Sequence, residues 1–148
     1  MSSDTPITIL MADDDADDCR LTLEALEEGR LANEIRFVSD GQELLDYLRH
    51  RGKYSGGTNA PRPGIILLDL NMPRVNGREA LSMIKSDSDL WRIPVVVLTT
   101  SKADEDIVKS YDLGANSYIV KPVTIEALVD ILQTLGKYWF QIVERSSH

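Results

Sequence analysis

Cysteine is almost absent: Cys19 is the only one in 148 residues, so no internal disulfide can form, and with His50 and His148 far apart there is no metal-ligand pattern around it. A reducing cytoplasm fits that usage. Positive charge is scarce as well, with 16 Lys and Arg against 24 Asp and Glu and a formal net charge of -8. Such a chain is repelled by nucleic-acid phosphates and by anionic lipid headgroups, so neither nucleic acid nor a membrane is an expected partner. No apolar run approaches the roughly 20 residues that cross a bilayer, and the initial MSSDTP has no basic stretch ahead of an apolar one. What remains is a length suited to one domain of the commonest size, with ordinary globular proportions of 43% hydrophobic and 27% charged residues.

The apolar runs that do occur are short and end at polar residues. Ile7 to Met11 is a β-branched run that stops at Asp13 and Asp14, which predicts a buried strand ending at a site. From Asp15 onward a capping residue, an acidic first turn and apolar spacing at Leu21, Ala25 and Leu26 predict a helix stopped by Gly29. Asp15, Asp17 and Asp18 are read as its solvated start. Glu34 to Val38 predicts a second strand, and Ser39 with Gln42 has capping-box spacing ahead of Leu44, Leu45 and Leu48. Gly52 to Pro63 lacks periodicity and is expected to be an exposed loop. GIILLDL, from Gly64, is too apolar for an amphipathic helix and predicts the central strand ending at Asp69. Further helices are expected over Asn76 to Ser86 and Asp104 to Leu113, with strands over Pro94 to Leu98 and Ser117 to Val120. Thr124 caps a final helix with apolar residues at Ile125, Leu128, Val129 and Leu132. Strands apolar on both faces, alternating with helices, predict an α/β fold: a doubly wound, five-stranded parallel sheet with helices on both faces.

In such a sheet, ligands gather at the carboxyl ends of the strands. Asp13, Asp14, Asp69, Thr99 and Lys121 all occupy that position, although they come from distant parts of the chain. Carboxylates brought together repel unless a cation sits among them, and magnesium suits a site with few protein ligands and an arriving phosphate. Metal, lysine and hydroxyl could then each take one oxygen of a phosphoryl group, with Asp69 as the nucleophile. The same acidic stretch nearly spells a calcium loop through Asp13, Asp15, Asp17 and Glu24, but Asp18 stands where glycine is required.

ILMADDD, LLDLNMP, LTTS and SYIVKP together make the sequence, over about residues 7–135, closely similar to response-regulator receiver domains of two-component signalling. The resemblance implies the flavodoxin-like receiver fold and phosphorylation of Asp69 by a partner histidine kinase. It also implies direct magnesium ligation by Asp14, Asp69 and the backbone carbonyl of Asn71, with Asp13 assisting through water. Thr99 and Tyr118 would be the switch pair. The long loop before the third strand, together with GREAL, RIPVVVLTTS and KYWF, resembles the stand-alone regulators that serve phytochrome-type photoreceptor kinases. On this reading the protein is not a turnover enzyme; it catalyses its own phosphorylation and slow dephosphorylation. No output domain is expected after the receiver, and a relay role that passes phosphate onward remains an alternative.

A phosphatase of the haloacid-dehalogenase type also uses a strand-end aspartate and magnesium. It would want an acid/base aspartate two residues after the nucleophile, where Asn71 stands, and a cap that is not encoded. Beyond Leu135 the chain continues as an extension over about residues 136–145, with Tyr138, Trp139, Phe140, Ile142 and Val143. A contiguous exposed patch of such residues usually marks an interface. The expectation is a symmetric homodimer through the last helix and its neighbouring strand and helix, with Tyr138, Trp139 and Ile142 at the contact.

Overall fold

In the computed structural model, residues 7–28, 33–70, 72, 75–99, 113–121, 123, 124 and 126–131 are described. Ile9–Ala12 forms β1, Ala16–Glu28 forms α1 and Ile35–Val38 forms β2. Gly41–Arg49 forms α2, Ile65–Asp69 forms β3 and Gly77–Ser86 forms α3. Val95–Thr99 forms β4 and Ser117–Val120 forms β5. Residues 126–131 are helical. The helix expected over Asp104 to Leu113 and the extension beyond Leu135 lie outside the described residues, apart from Leu113 itself.

The strands form one sheet in the order β2-β1-β3-β4-β5, with every neighbouring pair parallel. Successive strand residues point to opposite faces, and both faces are covered. Leu10, Ala12, Ile66, Leu68, Val95 and Val97 pack on one side with Leu44 and Leu45 of α2 and Leu81 and Ile84 of α3. Ile9, Met11, Ile65, Leu67, Val96 and Leu98 pack on the other with Ala25 and Leu26 of α1 and with Leu128. This two-sided burial is why the strands read as unbroken apolar runs rather than as alternating ones. Each fully buried Leu, Ile or Val contributes about 1.5–3 kcal/mol of transfer free energy.

Two expectations are corrected here. The capping box of α2 is not built on Ser39 and Gln42. Asp40 is the N-cap, its side chain accepting from Glu43 N at 2.7 Å, and the Glu43 carboxylate reaches back to accept from Ser39 N at 2.8 Å. Nor is the stretch from Gly52 to Pro63 simply exposed. It opens with a short 3-10 turn, Gly52–Tyr54, and buries both Tyr54 and Ala60. Tyr54 Oη donates to Glu43 Oε2 at 2.8 Å, Lys53 Nζ lies 2.8 Å from the same oxygen, and Tyr47 Oη donates to Pro61 O at 2.8 Å. The Tyr47 and Tyr54 rings meet edge to face, 5.0 Å between centroids. One carboxylate thus starts α2 and fastens the loop onto it.

Burial alone would raise the pKa of Glu43, but the bonds from Lys53, Ser39 and Tyr54 outweigh it and hold the group down at about 2. A depressed carboxylate stabilises the folded state above its ordinary value near 4.5, and that contribution is lost as pH falls from there through about 2. Tyr54→Phe should therefore cost about 1.5–3 kcal/mol at neutral pH, the net worth of one hydrogen bond to a charged acceptor. It should also flatten the stability loss below pH 4.5. Urea denaturation of parent and variant at pH 7 and pH 3 reads both effects; an equal gap at the two pH values would contradict the latch.

Candidate functional site: a strand-end carboxylate cluster

Parallel register sets the site. Ala12 pairs with Leu68 and Asp69 pairs with Leu98, so the residue after β1 stands beside the last residue of β3. Thr99 pairs with Val120, which puts Lys121 just past the neighbouring strand end. Asp13 and Asp69 are both nearly inaccessible, at 3% and 5% exposure, whereas Asp14 is exposed. Carboxylate oxygens of Asp13, Asp14 and Asp69 lie within 4.8 Å of one another. Two like charges 4 Å apart repel by about 4 kcal/mol at an effective dielectric of 20, so the cluster needs a cation.

One cation is built in. Lys121 Nζ sits 3.0 Å from Asp13 Oδ2, 3.3 Å from Asp69 Oδ2 and 2.7 Å from Asp18 Oδ2. Burial disfavours its ammonium, but the hydrogen bond to Asp18 and the close carboxylates of Asp13 and Asp69 outweigh that and raise its pKa. The Asp13 carboxyl is also raised, to about 6, because burial outweighs the Asp15 backbone N–H and Lys121. Its Oδ1 accepts from Asp15 N at 2.9 Å. Its Oδ2 has the distance of a hydrogen bond to Lys121 without the alignment, which leaves a buried oxygen with an unused lone pair facing the cluster. Three carboxylates with such an oxygen among them are a hard-oxygen donor set, and these residues fit a divalent cation.

Glycine lets the start of α3 approach this corner closely. A Cβ on Gly77 would strike the backbone carbonyl oxygen of Asp69 and come within 2.5 Å of Leu70 Cα. Gly77 N instead donates to Leu70 O at 3.1 Å, and Asn76 caps α3 by accepting from Glu79 N at 2.9 Å. Backbone cannot step aside as a side chain can, so the start of α3 packs directly on the residue that carries the central carboxylate.

Of the site residues expected from sequence, Asp13, Asp14, Asp69 and Lys121 are brought together. Thr99 ends β4 as expected, but its side chain lies outside the described residues, as do Asn71, Tyr138, Trp139 and Ile142. Tyr118, on β5 beside Val97, is half-buried against the core on the α3 face. Asp18 is a correction: it is not merely a solvated helix start, because its carboxylate reaches Lys121. The signal was present in the spacing. Asp18, Thr22 and Ala25 fall at i, i+4 and i+7 on the buried stripe of α1, so Asp18 faces the strand ends rather than solvent. Cys19, by contrast, has its thiol pushed up to about 11 by burial and by the charges of Asp13, Asp18 and Asp15, which keeps it unreactive.

Residues 9–133 match the response regulator receiver domain family. The chain belongs to that family. It is 40% identical over 141 residues to the response regulator Rcp1 of Synechocystis sp., covering 95% of this chain and 94% of that one. A receiver of this family is paired with a histidine kinase, and the neighbours include regulators from phytochrome systems. The bacteriophytochrome response regulator RtBRR superposes with a TM-score of 0.80 at 45% identity, over 89% of this chain and 79% of its own. The phosphorylated cyanobacterial phytochrome response regulator RcpA gives 0.75 at 44%, over 91% and 94%. Rcp1 itself has been solved in a Mn(2+)-bound form, with a TM-score of 0.74 over 91% of this receiver and 95% of that chain. Among the described residues of this receiver, no helix is long and apolar enough to cross a membrane.

Proposed function

We propose that this receiver takes a phosphoryl group from a phytochrome-type histidine kinase onto Asp69 and signals through Thr99 and Tyr118. One observation carries the reading: the ammonium of Lys121 stands 3.3 Å from Asp69 Oδ2, with the carboxylates of Asp13 and Asp14 beside it. In the transfer, an Asp69 carboxylate oxygen attacks phosphorus and the P–N bond of the phosphohistidine breaks. The electron pair returns to the imidazole ring of the kinase. Lys121 donates to a phosphoryl oxygen and offsets the charge gained when a carboxylate becomes an acyl phosphate. Asp14, Asp69 and the Asn71 carbonyl would hold magnesium directly, with Asp13 assisting through water, and the cation would supply further neutralisation of carboxylate and phosphoryl oxygens. Thr99 would turn toward the phosphoryl group, with Tyr118 following into the space it leaves.

The phytochrome assignment is supported by RtBRR and RcpA, at 45% and 44% identity, whose names carry that role. The cytoplasm is the setting that suits a kinase donor of this type. Asn71 in place of an acid/base aspartate disfavours the phosphatase alternative. Mixing the protein with candidate histidine kinases labelled at phosphohistidine tests the reading. Label should move to this chain within minutes in magnesium, and no transfer from any phytochrome-type kinase would overturn the partner assignment. The receiver core is taken as residues 7–135, and the apolar segment beyond it as a homodimer contact through Tyr138, Trp139 and Ile142. Truncation after Leu135 should halve the mass measured by light scattering at tens of micromolar while leaving labelling of Asp69 intact. A full-length protein that is monomeric with and without phosphodonor contradicts the dimer.

A further inference from the structure

Lys121 is fully subscribed. Its ammonium has three protons and three carboxylates within 3.3 Å, and its aligned hydrogen bond at 2.7 Å goes to Asp18, on α1, rather than to the carboxylate that is to be modified. The contact is sheltered, with 12% of the lysine side chain and 19% of the aspartate side chain exposed, so water screens it little. The charge count points the same way. Asp13, Asp14 and Asp69 with Lys121 and a divalent cation sum to zero, and Asp18 makes the site net negative before a phosphoryl group adds another charge.

We propose that Asp18 is a positioning residue that holds Lys121 on the α1 side and competes with the phosphoryl group for its ammonium, so that it weakens the phosphorylated state. The inference rests on Asp69 as the acceptor. Without Asp18 the ammonium is not lost from the site, because Asp13 and Asp69 hold it at 3.0 and 3.3 Å. It is instead left with a proton for the incoming oxygen. Asp18 thereby sets how readily the switch stays on, a property the other site residues do not determine alone.

Beryllium trifluoride, which caps a carboxylate oxygen as a phosphoryl group does, gives an equilibrium readout. Titrated in magnesium and followed by amide chemical shifts, Asp18→Asn should bind it threefold to tenfold more tightly than the parent. Asp18→Glu, which restores a carboxylate, should return to within twofold of the parent. In a Lys121→Met background, the Asp18→Asn effect should fall below twofold, since the competition acts through the ammonium. Asparagine keeps the shape of the residue, and the bond from Thr22 Oγ1 to the Asp18 carbonyl oxygen is untouched, so α1 keeps its start. Equal or weaker binding by Asp18→Asn overturns the proposal, as does an effect that survives in Lys121→Met. A parent that fails to bind, or an Asp69→Asn protein that binds as the parent does, overturns the assignment of Asp69 and the proposal with it.

Discussion

Asp69→Asn should lower labelling by a small phosphodonor in magnesium at least ~100-fold, equivalent to about 2.7 kcal/mol of lost transition-state stabilisation. The carboxamide has no anionic oxygen to attack phosphorus, and the remaining carboxylates of the site lie after β1 or in α1 rather than on β3. The label lost should be the hydroxylamine-sensitive fraction that marks an acyl phosphate. Structure should survive, since asparagine matches the shape and the ammonium beside it keeps Asp13 and Asp18. Removing one charge from a crowded cluster should leave the metal-free melting temperature unchanged or higher. Undiminished labelling of a folded Asp69→Asn protein would falsify the assignment, whereas a large fall in melting temperature would mean that Asp69 supports the fold rather than the chemistry.

What made Asp69 legible in the sequence was the abruptness with which GIILLDL gives way to NMP. A strand buried on both faces tolerates only apolar side chains, so its polar terminus stands out, and the same logic found Asp13, Asp14 and Lys121. Strand ends were placed within about one or two residues: Ile7 to Met11 became Ile9–Ala12, and Pro94 to Leu98 became Val95–Thr99. What stayed hidden depends on tertiary partners. Tyr54 meets Glu43 from eleven residues away, across a stretch with no periodicity of its own. The spacing puts Asp18 on the buried stripe of α1, but its partner Lys121 lies 103 residues away, and an acidic first turn is accounted for by the helix dipole alone. The capping box was assigned one residue early because Ser39 is also a good cap, and only the Asp40 side chain bonding to Glu43 N decides between them.

Magnesium should raise the melting temperature of the parent well beyond what sodium chloride of equal ionic strength achieves. A ligand that binds only the folded state stabilises it by about 2.7 kcal/mol at a hundredfold excess over Kd. For a domain of this size that is roughly 5–10 °C, taking about 2–4 °C per kcal/mol. Asp14→Ala should erase most of the rise. Asp14 is the exposed member of the cluster, so its carboxylate contributes to the fold chiefly as a charge, and alanine leaves the buried pair of Asp13 and Lys121 in place. Without metal the same substitution removes a repulsion, so the variant should melt at or above the parent. Added salt should narrow that difference, because an exposed charge is screened where a buried one is not. The two proteins should therefore change places: the variant equal or more stable in chelator, the parent more stable in magnesium. An Asp14→Ala protein that gains as much from magnesium as the parent would mean that the cation is held elsewhere, and that the carboxylate cluster tolerates its crowding through Lys121 alone.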